Sequence, residues 1–288
     1  MKTGVLFSRA SAAWTAAVEP QGWVHGVPGK EYPCLRLSCL DKGYSNCRKV
    51  DWREGGIVKR VLITGSNRGI GLEFTRQYLE SGWRVYATCR RPVEAQSLHM
   101  LAELHSQLSI HRLDITLQED LNGIYQELKG ISVDLLINNA GVYFKKRGEG
   151  LGCIHYDNWR RTLEVNLLGG VRVTEALMEN LEKSDGRPLV VTLSNDIGVI
   201  DDIEDTSSLY YLSSKAALNV AMQVITAELE SKGIGVLLLH PGEVITRMGP
   251  DKGISKRESV SRMRDSIDHF TMDRSGTFLR YDGKEFVH

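Results

Sequence analysis

From residue 58 onward, short apolar runs alternate with amphipathic stretches, and no other feature limits the fold so tightly. The runs fall at 60–64 (Arg-Val-Leu-Ile-Thr), 84–88 (Arg-Val-Tyr-Ala-Thr), 109–113, 133–137, 188–194, 234–239 and 277–281. Most are apolar at successive positions, so both faces of each strand must be covered. The stretches between them have helical spacing; Leu98, Leu101, Leu104 and Leu108 are one example. Helices are predicted over 70–81, 93–107, 117–129, 156–183, 207–232 and 256–269. Strand followed by helix, repeated, dictates an α/β fold: one doubly wound domain over 58–288, with a parallel seven-stranded sheet and helices on both faces.

Residues 1–57 have a different character. They hold three of the five Trp and three of the five Cys, show no sustained period, and are rich in turn formers such as Pro20, Gly22, Pro28 and Gly29. Three readings are open. The early Lys and Arg and the lack of acids before Glu19 resemble a targeting peptide, although Ser8 and Arg9 cut the apolar stretch short. The segment could have a role of its own. The preferred reading is that Glu54-Gly55-Gly56-Ile57 is encoded over a ribosome-binding site and Val58 is a GTG start. The leader is then expected to stand outside the folded domain.

The charge balance narrows the partners. Lys plus Arg and Asp plus Glu both total 36, so nothing in the net charge draws the chain to nucleic acid or an acidic membrane surface. No apolar run approaches the roughly 18 residues of a membrane span. Five Cys at irregular spacing, with no CxxC pair, argue against a metal site and fit reduced thiols in the cytoplasm.

The loop after the first strand reads Thr64-Gly65-Ser66-Asn67-Arg68-Gly69-Ile70-Gly71. Glycines there let backbone approach a pyrophosphate, and the following helix offers free N–H groups and a partial positive charge. The second strand ends in Thr88-Cys89-Arg90-Arg91, with no acid to hold a ribose 2′-hydroxyl. Arg90, with Arg68 in the loop, faces a 2′-phosphate instead, which favours NADP(H) over NAD. Asp114 after the third strand could accept from an adenine amino group or cap the next helix. Asn138-Asn139-Ala140-Gly141 closes the fourth strand; the amides can tie strand ends together, and Ala-Gly leaves room for a ribose or nicotinamide.

Together with Asn166, Tyr211-x₃-Lys215, Pro241-Gly242 and Thr246, these motifs resemble the short-chain dehydrogenases/reductases. The likeness is greatest to the branch of carbonyl reductases and of bacterial proteins named for a developmental signal. The resemblance covers 58–288 and implies a Rossmann-type domain that moves a hydride between nicotinamide and a small carbonyl or alcohol substrate. It also implies that Ile115, Asn139, Ala140, Gly141, Pro241, Gly242, Val244 and Thr246 line the cofactor, with Thr246 on the carboxamide. Tyr211 would give its phenolic proton to the carbonyl oxygen. A free Tyr, with pKa about 10, serves poorly near neutrality. Lys215, one helical turn on, would favour the tyrosinate and hold the ribose. Asn166 would anchor a water that returns protons to Lys215. Tyr210 is the decoy, because only Tyr211 has Lys four residues on. Relatives pair through helices matching 156–183 and 207–232, so a homodimer or homotetramer is implied.

The chain departs from the resemblance in one place. The fifth strand of the family ends Ser-Ser-x-x-Gly, and the second Ser bonds the substrate carbonyl. Counted back from Gly198, this chain has Ser194 in the first place and Asn195 in the second. Asn195 can donate from its amide but is not a hydroxyl. Either it substitutes as the donor, or a local bulge brings in Ser194, or turnover is weak and the chain serves as an NADP-binding or signalling protein. Four acids in 201–205 lie beside the expected substrate mouth, as a solvated loop or as a bar to anions.

Overall fold

The computed structural model describes residues 58–144, 151–195 and 209–286. The leader, the acidic run 201–205 and Gly198 lie outside the described residues. In chain order the elements begin β1 (Arg60–Thr64), α1 (Gly69–Glu80), β2 (Arg84–Cys89), α2 (Gln96–Leu104), β3 (Leu108–Arg112), α3 (Gln118–Glu127) and β4 (Leu135–Asn138). They continue with α4 (Tyr156–Leu163), α5 (Gly169–Ala176), α6 (Met178–Glu182), β5 (Leu189–Leu193), α7 (Leu209–Ser231), β6 (Gly235–His240), α8 (Lys256–Asp268) and β7 (Thr277–Arg280).

The seven strands form one sheet in the order β3-β2-β1-β4-β5-β6-β7, every pair parallel. Alternate strand residues feed two cores. Val61, Ile63, Val85, Leu135, Val191 and Leu239 pack with Phe74 and Tyr78 of α1 and with Val260 and Met263 of α8. Leu62, Tyr86, Leu136, Val190 and Leu238 pack on the other face with Leu121 of α3, Val173 of α5 and Met222 of α7. This two-sided burial is why the strands read as continuous apolar runs. Chain order reverses between β1 and β4, and ligands of such sheets bind beyond the strand ends at that point.

Most expected boundaries hold within two or three residues. The predicted helix over 156–183 does not: it is broken into α4, a π turn over Glu164–Leu168, α5 and α6. Two buried amides in this stretch bond to distant chain. Asn166, inside the π turn, is bonded to a neighbouring loop. Asn180 in α6 donates to the carbonyls of Leu128 and Ile131, both at 2.7 Å, and its own carbonyl accepts from Val133. The Val133 N–H is thus committed to α6, and β4 begins at Leu135, two residues later than the sequence placed it.

The outer side of β7 is not left bare. Leu279 bridges Glu285 in antiparallel sense. The Phe286 N–H donates to the Phe278 carbonyl, and their rings lie 4.7 Å apart. No helix among the described residues is long and apolar enough to cross a membrane, and no group of His, Cys, Asp and Glu there could hold a metal ion.

Candidate active site

The loop from β1 to α1 is closed by backbone contacts too tight for side chains. A Cβ on Gly71 would lie 2.4 Å from the Gly65 carbonyl oxygen and 2.5 Å from Asn139 Nδ2; one on Gly65 would meet Ala140 Cα at 3.0 Å. Gly65 and Gly69 both have positive φ. Asn139 closes the crevice from β4, donating from Nδ2 to the carbonyls of Thr64 (2.7 Å) and Gly65 (3.1 Å). Thr64 Oγ1 accepts from the N–H groups of both Asn139 and Ala140, at 3.0 Å. Ser66 is buried, its hydroxyl on the Ile63 carbonyl. The partner amide, Asn138, points away from the crevice to Thr174 and Gly170.

No side chain caps the start of α1, and its first turn holds no acid. Asn67 and Arg68 are exposed beside it. An uncapped helix start over a glycine cradle fits a pyrophosphate.

On the β2–β3 side, Arg90 is exposed and Asp114 half-buried. Burial works against Asp114 ionising, but hydrogen bonds from Thr116 outweigh it: Oδ1 accepts from its hydroxyl at 2.7 Å and its N–H at 3.1 Å. The cations of Arg161 and Arg90 add to this, and the carboxyl sits below the usual aspartate range. Asp114 does not cap α3, whose N-cap is Leu117; its bonds to Thr116 make a local turn after β3 instead. Ile115 is buried, its Cδ1 so close to Gly169 that a Cβ there would lie 2.4 Å away. The side chain of Ile115 thus belongs to the core.

Asn166 braces the far wall. Its Oδ1 accepts from the Val142 N–H (2.8 Å), while Nδ2 donates to the Val142 carbonyl (2.9 Å) and to Ser214 Oγ (3.0 Å). The Ser214 hydroxyl donates in turn to the Tyr211 carbonyl. The loop after β4 is so tied to α7, and its next residue, Tyr143, stands edge-on to Tyr211 with ring centres 5.3 Å apart. Tyr211 is half-buried. Tyr210 is fully buried, and its hydroxyl accepts from the His155 N–H at 2.7 Å.

Lys215 lies on the same face as Tyr211, its Nζ 5.6 Å from that ring centre. It is buried and donates to the Leu193 carbonyl at 2.7 Å. Burial pushes its pKa down to about 8. Ser194 follows on the same strand end. Its N–H donates to the Leu239 carbonyl at 2.8 Å, so the pairing with β6 continues without a bulge. Its hydroxyl is buried and donates to Asn219 Oδ1 on α7. Asn195, half-buried, is the next residue along.

After β6, Pro241 is held by the Ser259 hydroxyl on its carbonyl, and Gly242 has φ 80° with Tyr281 against it. Val244 is buried and bridges Ile254. Thr246 Oγ1 accepts from the N–H groups of Met248 and Gly249, so it shapes its own turn. Sequence reasoning missed Asn219, Ser214, Tyr143 and the Leu193 carbonyl. The spacing of Asn219, four residues after Lys215, was the one available signal.

The profile of the short chain dehydrogenases matches residues 59–256. An uncharacterized oxidoreductase of Schizosaccharomyces pombe is 30% identical over 246 residues, 78% of this chain and 96% of the relative. The C-signal of Myxococcus xanthus is 37% identical over 158 residues, 53% of this chain and 91% of the relative. Among solved structures, the NADPH-bound carbonyl reductase from chicken fatty liver has a TM-score of 0.73 at 30% identity, over 80% of this chain and 99% of that one.

Proposed function

The chain belongs to the short-chain dehydrogenase family, and on that premise we propose that it is an NADP(H)-dependent oxidoreductase interconverting a carbonyl and an alcohol, with Tyr211 as acid and base. One observation carries the reading: a buried Lys215 beside the Tyr211 ring, at the carboxyl edge of a doubly wound sheet. The glycine cradle fits the nucleotide, and the chicken carbonyl reductase of this fold binds NADPH. When bound, that group supplies the hydride.

The chain's own residues do the rest. The N–H groups of residues 65–71 hold the pyrophosphate, and Arg68 and Arg90 hold the 2′-phosphate. Asp114, kept ionised, accepts from the adenine amino group. Asn139, Ala140 and Gly141 bound the ribose side, and Val244 and Thr246 the carboxamide side. Tyr211 donates its proton to the carbonyl oxygen. The Lys215 cation stabilises the phenolate left behind. Both amide hydrogens of Asn166 are already donated, so a proton-returning water there must donate to one of its oxygens. Asn195 offers its amide to the developing oxyanion. A second copy would cover the exposed Val220 and Val224, one turn apart on α7.

A second reading draws on Ser194. Its hydroxyl is engaged by Asn219, so Ser194 does not turn its proton toward a substrate, and the chain could bind NADP(H) with little turnover. NADPH consumption over a panel of ketones and aldehydes separates the two. Turnover in the wild type that is lost in Tyr211→Phe supports the reductase. No turnover in the wild type, with a gain in Asn195→Ser, supports the weak enzyme. Failure to bind NADP(H) in equilibrium titration overturns both.

A further inference from the structure

The end of β5 is fastened to α7 by two rungs. In the first, Lys215 Nζ donates to the Leu193 carbonyl at 2.7 Å. In the second, Ser194 Oγ donates to Asn219 Oδ1. Leu193 and Ser194 are adjacent on the strand, and Lys215 and Asn219 are four residues apart on one face of the helix. All three polar side chains are buried. Either orientation of the Asn219 amide keeps the second rung, because a hydroxyl both donates and accepts.

Asn219 carries a burden that packing alone does not explain. Its Nδ2 is buried with no hydrogen-bond partner among the described residues. An apolar side chain would remove that unpaired donor, so the feature worth keeping is the bond to Ser194. Ser194 is also fixed through its backbone to Leu239 of β6. It therefore transmits the position of the sheet to the helix. The helix turn so placed is the one that presents Lys215 to the Leu193 carbonyl.

We propose that Ser194 and Asn219 are a positioning pair: their hydrogen bond sets the height of α7 against β5, so that the Leu193 carbonyl meets the Lys215 ammonium beneath Tyr211. This rests on the Tyr211–Lys215 reading for its functional meaning, but the geometry stands without it. The Ser194 hydroxyl is a register pin, and the contact with substrate falls to its neighbour. Tyr211 is the titratable side chain facing Lys215 on its own helix. Burial is the cause of the depressed lysine pKa. A slipped rung deprives a buried ammonium of its acceptor, which disfavours the charged form further.

The test titrates Lys215 directly by carbon-13 NMR on the full chain, assigned by comparison with Lys215→Met. Thermal unfolding reports folding. The wild-type midpoint is expected near 8. In Ser194→Ala it falls by about one pH unit, and Ser194→Thr, which keeps a hydroxyl, restores it. A folded Ser194→Ala protein with the wild-type midpoint overturns the proposal, as does a Ser194→Thr protein that titrates like Ala. Should Ser194→Ala not fold, Asn219→Leu carries the same measurement, with a lowered midpoint expected; an unchanged midpoint overturns the pair. The titration needs no turnover, so a protein inactive toward every carbonyl still decides this question separately from the enzymatic one.

Discussion

Around Gly65 and Gly71 the crevice is made almost wholly of backbone; around Lys215 it is made of side chains. In the first region two glycines, a helix start and the carbonyls of Thr64 and Gly65 are drawn together by one amide, Asn139. Within residues 64–71 the one charged side chain is that of Arg68, at the rim. In the second, a cation is buried against a single carbonyl, and hydroxyls and amides hold it in place. The nucleotide end thus depends on shape, and a clash should break it at any pH. The proposed catalytic end depends on protonation, and its failures should follow pH.

The sharpest break is Tyr211→Phe. Turnover is expected to fall by about 10²–10⁴ with NADPH affinity retained, read by steady-state kinetics beside equilibrium titration. Loss of both together would mean that the two regions are not separable.

Lys215→Met comes next and acts on stability in the opposite sense. The lysine pKa falls from its ordinary 10.5 to about 8 on burial, a difference of about 3 kcal/mol. The unfolded chain keeps the proton up to about pH 10.5, whereas the folded chain releases it near 8. The cost of burying the charge is full below pH 8 and fades between 8 and 10.5. The variant loses activity yet should be more stable than wild type at pH 7 by about 2 kcal/mol once the lost hydrogen bond is allowed for. Denaturant midpoints at pH 7 and pH 10 check this, since the difference must shrink at the higher pH.

Gly71→Ala tests the other region. Its Cβ would meet a backbone oxygen at 2.4 Å, and neither chain can retreat cheaply. A loss of about 1–3 kcal/mol is expected, equal at both pH values, with NADPH binding lost. A stable, NADPH-binding alanine variant would show that the cradle is looser than its contacts indicate. The smallest effect belongs to Asp114→Asn, about 1 kcal/mol or less. The carboxyl is held below its ordinary range, so its contribution is present above the unfolded aspartate pKa and lost as pH falls below it. The variant should differ from wild type at neutral pH and converge with it in acid.

The same division explains what the sequence disclosed. The fold was legible because every strand carries its burial in its own composition: Val61 and Ile63 face one core, Leu62 the other. The glycine loop was legible because its chemistry is local, within eight residues. The braces were not. Asn166 reaches 24 residues back to Val142 and 48 forward to Ser214, and two of its three partners there are backbone groups, which leave no trace in residue type. Lys215 likewise finds a carbonyl 22 residues away. The predicted helix over 156–183 failed for the same reason: its apolar spacing runs on unbroken, while two amides inside it answer to distant chain. The serine at 194 shows how far type alone can mislead. It stands one place before the position where the family carries its catalytic hydroxyl, and its own hydroxyl is spent on α7.

The return of the chain along β7 has a consequence for anyone handling this protein. Phe286 closes hydrogen bonds and ring contacts that leave Phe278 almost wholly covered. Without that short stretch, the edge strand β7 would offer open N–H and C=O groups to any extended peptide. A tag or cut placed just before residue 284 would therefore turn a sealed margin into an adhesive one, and the first symptom would be sticking between molecules, well before any change in chemistry at Tyr211.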